Sequence, residues 1–515
     1  MNTFERSLTT THIFFLFLLS GLLSVTGKAF RRAGLIAGVL LSMLVLSAQA
    51  DTVTNTVADA EPDLQGAWVG TLQVGDNKLR LRFNVSREQD QPYQATMDSI
   101  DQGASGIPVS RVTVKQQHIE LEIDAAQVLY VGEYQVASEQ IQGQWQQGGQ
   151  AFDLTLSRQQ QEARKPQDPV KPYPYIEEQI SFNNTAAGIQ LAGTLTRPAD
   201  TSHAVPAVVL ISGSGPQDRD QQLLGHRPFL VLADYLTRQG FAVLRFDDRG
   251  IGKSGGTFYQ ATSLDFATDV AAAVRYLQQR IEIRADQIGL IGHSEGGLIA
   301  PVVAQQQEGV SFLVLLAAPG ITGAEISANQ FEQMLVSQGL PETTVRHATA
   351  IYTNMNKLAA KPRQPTAAEL NGYYQLQWQK LPDEIKQQLL PLGGGALSKE
   401  RLAELQNAWF RYFQQHDPHR WLSKTKLPTL VLYGSKDVQL DAEINIAAIE
   451  QALQQARNTQ YKVIQLQGLN HLFQEADTGR WDEYASISQT LSPMLLSNLA
   501  DWLLQITMQK APELK

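Results

Sequence analysis

The sequence predicts an α/β protein: a mostly parallel, doubly wound sheet carrying a helical cap insertion, with an N-terminal all-β domain ahead of it. Three observations predict this. From about residue 176 onward, short and nearly continuous apolar segments ("PAVVLIS", "AVLRFDD", "QIGLIG", "FLVLLAA", "PTLVLYG", "YKVIQLQ") alternate with helical stretches, the pattern of parallel strands buried on both faces. That rhythm is interrupted at about 320–425 by a purely helical stretch. Between about 62 and 158 apolar residues recur every second position and no long helical period appears.

Taken in order, residues 1–50 read as a targeting segment. Arg31-Arg32 precede an apolar run from Ala33 to Leu46, and "SAQA" then supplies Ala48-Gln49-Ala50, the small-residue pattern of a signal-peptidase site. Cleavage after Ala50 would export a chain beginning at Asp51, to the periplasm or beyond, with no stable membrane anchor left. A second apolar run, Ile13 to Val25, does not fit a simple signal peptide; translation starting downstream of Met1 accounts for it, and an N-terminal membrane anchor is the alternative. Residues 62–158 are the small all-β domain. "KLRLRFNV", "RVTVKQQHIELEI" and "AFDLTL" are strands, forming a sandwich or an open barrel. Trp68, Tyr130, Tyr134 and Trp145 are expected to pack inside it rather than line a ligand surface. Residues 159–175 are polar with four prolines and read as an extended linker. Residues 176–515 form the second domain. "EQISF" and "IQLAGTLTRP" open it as an antiparallel pair. In the insertion, "SKERLAELQNAWFRYFQQH" aligns Leu402, Leu405, Trp409, Tyr412 and Phe413 on one helical face, with Ser398 as N-cap.

Composition narrows the functional classes. The chain has 515 residues, 43% hydrophobic and 18% charged, with a formal net charge of −9, a globular profile. The first fifty residues hold four cations against one acid, so the body is more acidic than the whole, which argues against nucleic acid as a partner. There is no cysteine. Disulfides, thiolate metal sites and cysteine nucleophiles are thereby excluded.

Two segments share the Gly-x-Ser-x-Gly spacing of a serine nucleophile: "GKSGG", Gly252 to Gly256, and "GHSEG", Gly292 to Gly296. A nucleophile elbow needs a strand entering the serine and a helix leaving it. Ser294 has "QIGLIG" before it and "GGLIAPVVAQQQ" after it. Ser254 is flanked by "DDRG" and "GGTFYQATS", both loop-like. A phosphate-binding loop at Lys253-Ser254 fails because its first glycine position holds Asp247. Ser294 is therefore the expected nucleophile, and "GIGKSGG" a structural turn.

A serine hydroxyl needs a base to take its proton. Of nine histidines, His471 in "LQGLNHLF" follows the last expected strand, where the base belongs when the chain order is serine, acid, histidine. His293 must point away from the serine beside it. The acid belongs after the preceding strand, where "LYGSKDVQ" offers Asp437, with Asp441 as its nearest rival. Its task is to orient the imidazole and stabilise the imidazolium. The oxyanion hole is expected from the N–H of Glu295, next after the nucleophile, and that of Ser214 in "SGSGPQDRD". No metal or organic cofactor is implied.

The set "SGSGPQDRD", "LRFDDRGIGKSGG", "GLIGHSEGG", "LYGSKDVQ" and "GLNHLF" resembles the α/β-hydrolase superfamily, and most of all the EstD-type carboxylesterases often grouped with serine aminopeptidase S33-like hydrolases. The resemblance runs from about Tyr175 to the C-terminus, and the β domain is similar to one that some of these esterases carry. It implies a Ser-Asp-His esterase acting on small-molecule esters. It also implies that Asp248, Arg249 and Gly250 brace the site structurally. Many relatives have "HG" where this chain has "SG" before the oxyanion donor, so any role of that imidazole does not carry over. Two rivals stand beside this reading. One is an aminopeptidase or amidase using the same residues, with Glu295, Glu325 or Glu332 binding the substrate α-amine. The other is a glycan-binding protein on the same fold.

Overall fold

The computed structural model describes residues 62–508, apart from 75–76, 88–90, 101–103, 159–164 and 201. The targeting segment read at 1–50, its cleavage site and the alternative membrane anchor lie outside the described residues. Two compact units divide the described chain in the interval between residues 158 and 165.

The first unit is one antiparallel sheet of nine strands: β1 (Gly66–Val74), β2 (Asn77–Ser86), β3 (Gln94–Ser99), β4 (Ala104–Pro108), β5 (Arg111–Lys115), β6 (His118–Ile123), β7 (Val128–Gln135), β8 (Gln140–Gln147) and β9 (Gln150–Arg158). Its order is β4-β3-β2-β1-β9-β8-β7-β6-β5, a meander in which the first strand pairs with the last. Alternate residues form a single core, as the period of two requires. Trp68, Tyr130 and Trp145 are at most 2% exposed. The Tyr130 hydroxyl donates within reach of the Ile141 and Leu154 carbonyls, at 3.0 and 3.1 Å. Tyr134 packs edge-on against Trp68. These aromatics are core.

The second unit is built on an eight-stranded sheet: β10 (Tyr175–Asn184), β11 (Ile189–Pro198), β12 (Val205–Ile211), β13 (Ala242–Phe246), β14 (Ile283–His293), β15 (Val310–Leu316), β16 (Thr429–Gly434) and β17 (Tyr461–Leu466). The order is β10-β11-β13-β12-β14-β15-β16-β17. β10, β11 and β13 pair antiparallel; every later pair is parallel. Helices α1 (Pro228–Arg238), α2 (Ser263–Gln278) and α3 (Glu295–Gln306) connect the strands up to β15. β13 and β15 are buried at every residue, which is why their sequences lack polar alternation.

Between β15 and β16 the chain leaves the sheet for the cap: α4 (Gly323–Ser337), α5 (Glu342–Ala359), α6 (Ala367–Gln379), α7 (Asp383–Leu389), α8 (Lys399–Gln406), α9 (Ala408–Gln415) and α10 (His419–Leu422). Two small apolar cores hold it together. Helices α11 (Ala442–Gln455), α12 (Trp481–Tyr484) and α13 (Pro493–Met508) complete the unit.

Two expectations change. The single helix read over 399–415 is two. Ser398 caps α8 through Arg401 N–H, but Asn407 adopts an extended backbone (φ −66°, ψ 135°) and its side chain caps α9 through Phe410 N–H. An asparagine whose amide serves a new N-terminus competes with helix continuation. The stretch read as an extended linker at 159–175 is tied down from Lys165 onward. Lys165 Nζ donates to the Ile487 carbonyl at 2.8 Å, Gln167 Nε2 to that of Leu491 at 2.7 Å, and buried Asp168 pairs with Arg227 at 2.6 Å. Its prolines set an extended backbone, but its polar side chains have partners on the same unit.

Candidate active site

The loops that follow the parallel strands bring the expected residues to one edge of the sheet. Ser294 sits between β14 and α3 with φ 53° and ψ −119°, a conformation that costs an L-residue about 1–3 kcal/mol. Neighbouring glycines make the turn possible. A Cβ on Gly292 would lie 2.1 Å from the Gly296 carbonyl oxygen, and one on Gly296 would lie 2.2 Å from that of Ile211. The Ser294 N–H donates to the Leu316 carbonyl at 2.8 Å, stitching the elbow to β15. From Gln287 to Val303 every residue is buried except Ser294. The strain therefore lifts one hydroxyl-bearing side chain out of an otherwise closed core.

Asp437 lies three residues past β16 and His471 five past β17. Their side chains meet: His471 Nδ1 donates to Asp437 Oδ2 at 2.7 Å, with both residues buried. Oδ1 of the same carboxylate accepts the N–H groups of Gln439 and Leu440, each at 2.9 Å. The two loops are sewn together by Ser435 N–H to Leu466 O and Lys436 N–H to Leu469 O, both 2.9 Å. Asp441 has another occupation. It is the N-cap of α11, accepting Ile444 N–H at 3.0 Å.

The loop from Ser212 to Asp220 runs past the serine. A Cβ on Gly213 would lie 3.3 Å from Ser294 Cβ. Glu295 opens α3, so its N–H has no acceptor within the helix. The "DDRG" loop holds the Ser212–Asp220 loop in place. Asp248, half-buried, accepts Ser212 Oγ–H and Gln217 N–H, each at 2.9 Å, and desolvation pushes its carboxyl well above the usual range. Asp247 accepts from Arg219 through both backbone and guanidinium. Arg249 pairs with buried Asp269 at 2.7 Å. The bracing expected of Asp248 and Arg249 has this geometry.

Ser254, the other candidate, is buried. Its Oγ donates to the Asp247 carbonyl at 2.7 Å and accepts Ala192 N–H at 2.9 Å. It joins the loop to β11 and faces no opening.

The sequence implies only a direction for His293, away from Ser294, yet its ring has a task. Its Nε2 donates to the His471 carbonyl at 3.0 Å, and its Nδ1 accepts from Gln221 Nε2 at 2.8 Å. Burial holds its pKa down to about 3, so the ring is neutral and the two bonds define its tautomer. Nothing in the spacing marked Gln221, which lies 72 residues upstream. The carboxylates considered as α-amine anchors have other surroundings. Glu295 is buried and accepts Ser263 Oγ–H and Trp409 Nε1–H. Glu325 closes a capping box with Thr322. Glu332 is exposed on α4.

A sheet of this order, an elbow after its fifth strand in space and a helical insertion between β15 and β16 are the architecture of the α/β-hydrolase fold. Residues 227–383 match the family model described as serine aminopeptidase, S33. The esterase EstD of Thermotoga maritima is 25% identical over 308 residues, covering 59% of this chain and 62% of its own length. The uncharacterized protein YfhR of Escherichia coli K12 is 30% identical over 150 residues, 28% of this chain and 48% of its own. The chain thus spans less than two thirds of the length of these curated relatives. Among solved structures, an esterase of Pyrococcus furiosus superposes with a TM-score of 0.40 at 15% identity, over 67% of this chain and 97% of that one. By sequence, residues 227–383 are similar to the serine aminopeptidase S33 family and the chain is similar to the esterase EstD.

Proposed function

We propose that this protein is an exported serine carboxylesterase in which Ser294 is the nucleophile, His471 the base and Asp437 the orienting acid. Ser294 Oγ attacks the ester carbonyl while His471 Nε2 takes its proton, and Asp437 holds the other ring nitrogen. The tetrahedral oxyanion forms against the N–H groups of Glu295 and Ser214. His471 then protonates the departing alcohol, and water hydrolyses the acyl-enzyme by the same route. The observation that carries the reading is the strained, partly exposed Ser294, raised from a buried run at the sheet edge that also bears the Asp437–His471 pair. Similarity to a protein named an esterase supports the reaction class. Two of the three candidate α-amine anchors, Glu295 and Glu325, already accept hydrogen bonds from other groups, and the third, Glu332, is exposed on α4, which weighs toward an ester. Export rests on "SAQA" ahead of Asp51, and intact mass of the exported protein should place its N-terminus there. A panel of p-nitrophenyl esters of increasing acyl length, run beside aminoacyl anilides, tests the reaction class. Turnover of short esters is expected; turnover of the anilides alone would make the protein an aminopeptidase.

A further inference from the structure

The residue after the nucleophile contributes more than its N–H. Glu295 is 3% exposed, directly behind the elbow, and its carboxylate is where helix α2 and the cap meet. Ser263, the first residue of α2, donates its hydroxyl to Oε1 at 2.6 Å. Trp409, on cap helix α9, donates its indole N–H to the same oxygen at 2.7 Å. Trp409 is itself fixed, stacked on Phe413 with ring centroids 5.2 Å apart, and Phe413 packs against the core of the sheet. Beside it, Asn407 Nδ2 donates to the Tyr259 carbonyl at 3.4 Å, a second tie between α9 and the body. A carboxylate withdrawn from water is retained only when donors satisfy it, so these bonds fix where Glu295 stands.

We propose that the Glu295 side chain is a positioning residue that couples seating of the cap to the oxyanion side of the active site. The proposal rests on the assignment of Ser294 as nucleophile and of the Glu295 and Ser214 N–H groups as oxyanion donors. Trp409 docks the cap on Oε1, Oε1 fixes Glu295 against α2, and the peptide between Ser294 and Glu295 is held so that its N–H meets the developing charge. The elbow is strained, so that peptide has no intrinsic preference for the productive orientation. A donor displaced by about 1 Å loses on the order of 10²-fold at worst; outright loss of one costs about 10²–10³.

Both strong donors converge on one oxygen, which makes the idea testable. Glutamine keeps Oε1, so Glu295→Gln should recover most of the activity that Glu295→Ala loses. Trp409→Phe keeps the aromatic face and removes only the N–H. With p-nitrophenyl acetate, Trp409→Phe and Glu295→Ala should each lower kcat by about 10-fold or more at nearly constant KM, because oxyanion contacts act in the transition state. The double variant should be no slower than Glu295→Ala alone, and inactivation by a fluorophosphonate should slow in parallel. If Glu295 instead acted through its charge, Glu295→Gln would be as slow as Glu295→Ala. If Trp409 were merely a wall of the substrate pocket, Trp409→Phe would change KM and leave kcat intact. Either result overturns the proposal. Labelling of the unaltered protein at Ser294 separates this failure from failure of the esterase reading. Without that label both fall; with it, the Trp409 and Glu295 variants decide the positioning role alone.

Discussion

Asp437→Asn turns one hydrogen-bond pattern against the site. Oδ1 of Asp437 accepts two backbone N–H groups, from Gln439 and Leu440, while Oδ2 accepts His471 Nδ1–H. An asparagine amide has one oxygen to offer. Placing it toward His471 would set the NH₂ against two backbone N–H donors, at about 1–3 kcal/mol for each bond lost and donor stranded. The oxygen therefore stays with the backbone and the NH₂ faces Nδ1. Nδ1 must then become an acceptor, the ring proton moves to Nε2, and Nε2 is no longer free to take the serine proton. Restoring the working tautomer costs about 2–6 kcal/mol, or roughly 30- to 10⁴-fold in rate; the upper end is the scale of such a change in serine triads. The assay is kcat/KM on p-nitrophenyl acetate, with thermal melting to establish that the variant is folded. Asp441→Asn is the control, because asparagine caps a helix as well as aspartate does and should stay within about 2-fold. An Asp437→Asn protein within 10-fold of the unaltered one, or an Asp441→Asn protein that is the slower of the two, would refute the reasoning.

Ser254→Ala should keep most of the activity but destabilise the fold by about 2–4 kcal/mol, because it strands the Asp247 carbonyl and the Ala192 N–H; urea titration reads the loss, and a folded but inactive variant would contradict the structural role. Burial holds the pKa of His226 down to about 4, with Lys165 adding to the effect, against about 6.5 in the unfolded chain. The unfolded state therefore binds more protons between these values. This contribution is complete above pH ~6.5 and fades as the pH falls toward 4, by up to ~3 kcal/mol. Melting temperatures measured across this range should show the decline, and His226→Gln should flatten it; an equal slope in that variant would place the cause elsewhere.

The sheet was legible because burial on both faces leaves no polar alternation in β13 or β15, and the elbow because strand, serine and helix are contiguous. Asp437 and His471 could be placed from chain order, each following a strand whose carboxyl end faces the same edge. What was not legible acts across long separations or through side-chain choice. Gln221 braces His293, and Trp409 reaches Glu295 across 114 residues; no local period encodes either. The break at Asn407 was invisible because its neighbours keep a helical apolar period on both sides, and only the amide's bond to Phe410 N–H reveals the new helix start. The prolines of 159–175 signalled an extended backbone, while the docking of Lys165, Gln167 and Asp168 depended on partners more than fifty residues away.

The central claim is that one serine of the two Gly-x-Ser-x-Gly segments is the nucleophile. Reaction of the intact protein with a fluorophosphonate, followed by peptide mapping, tests it most directly. The account predicts one modified residue, Ser294, with stoichiometric loss of esterase activity and no labelling of the Ser294→Ala protein. Modification at Ser254, or full activity in Ser294→Ala, would contradict it.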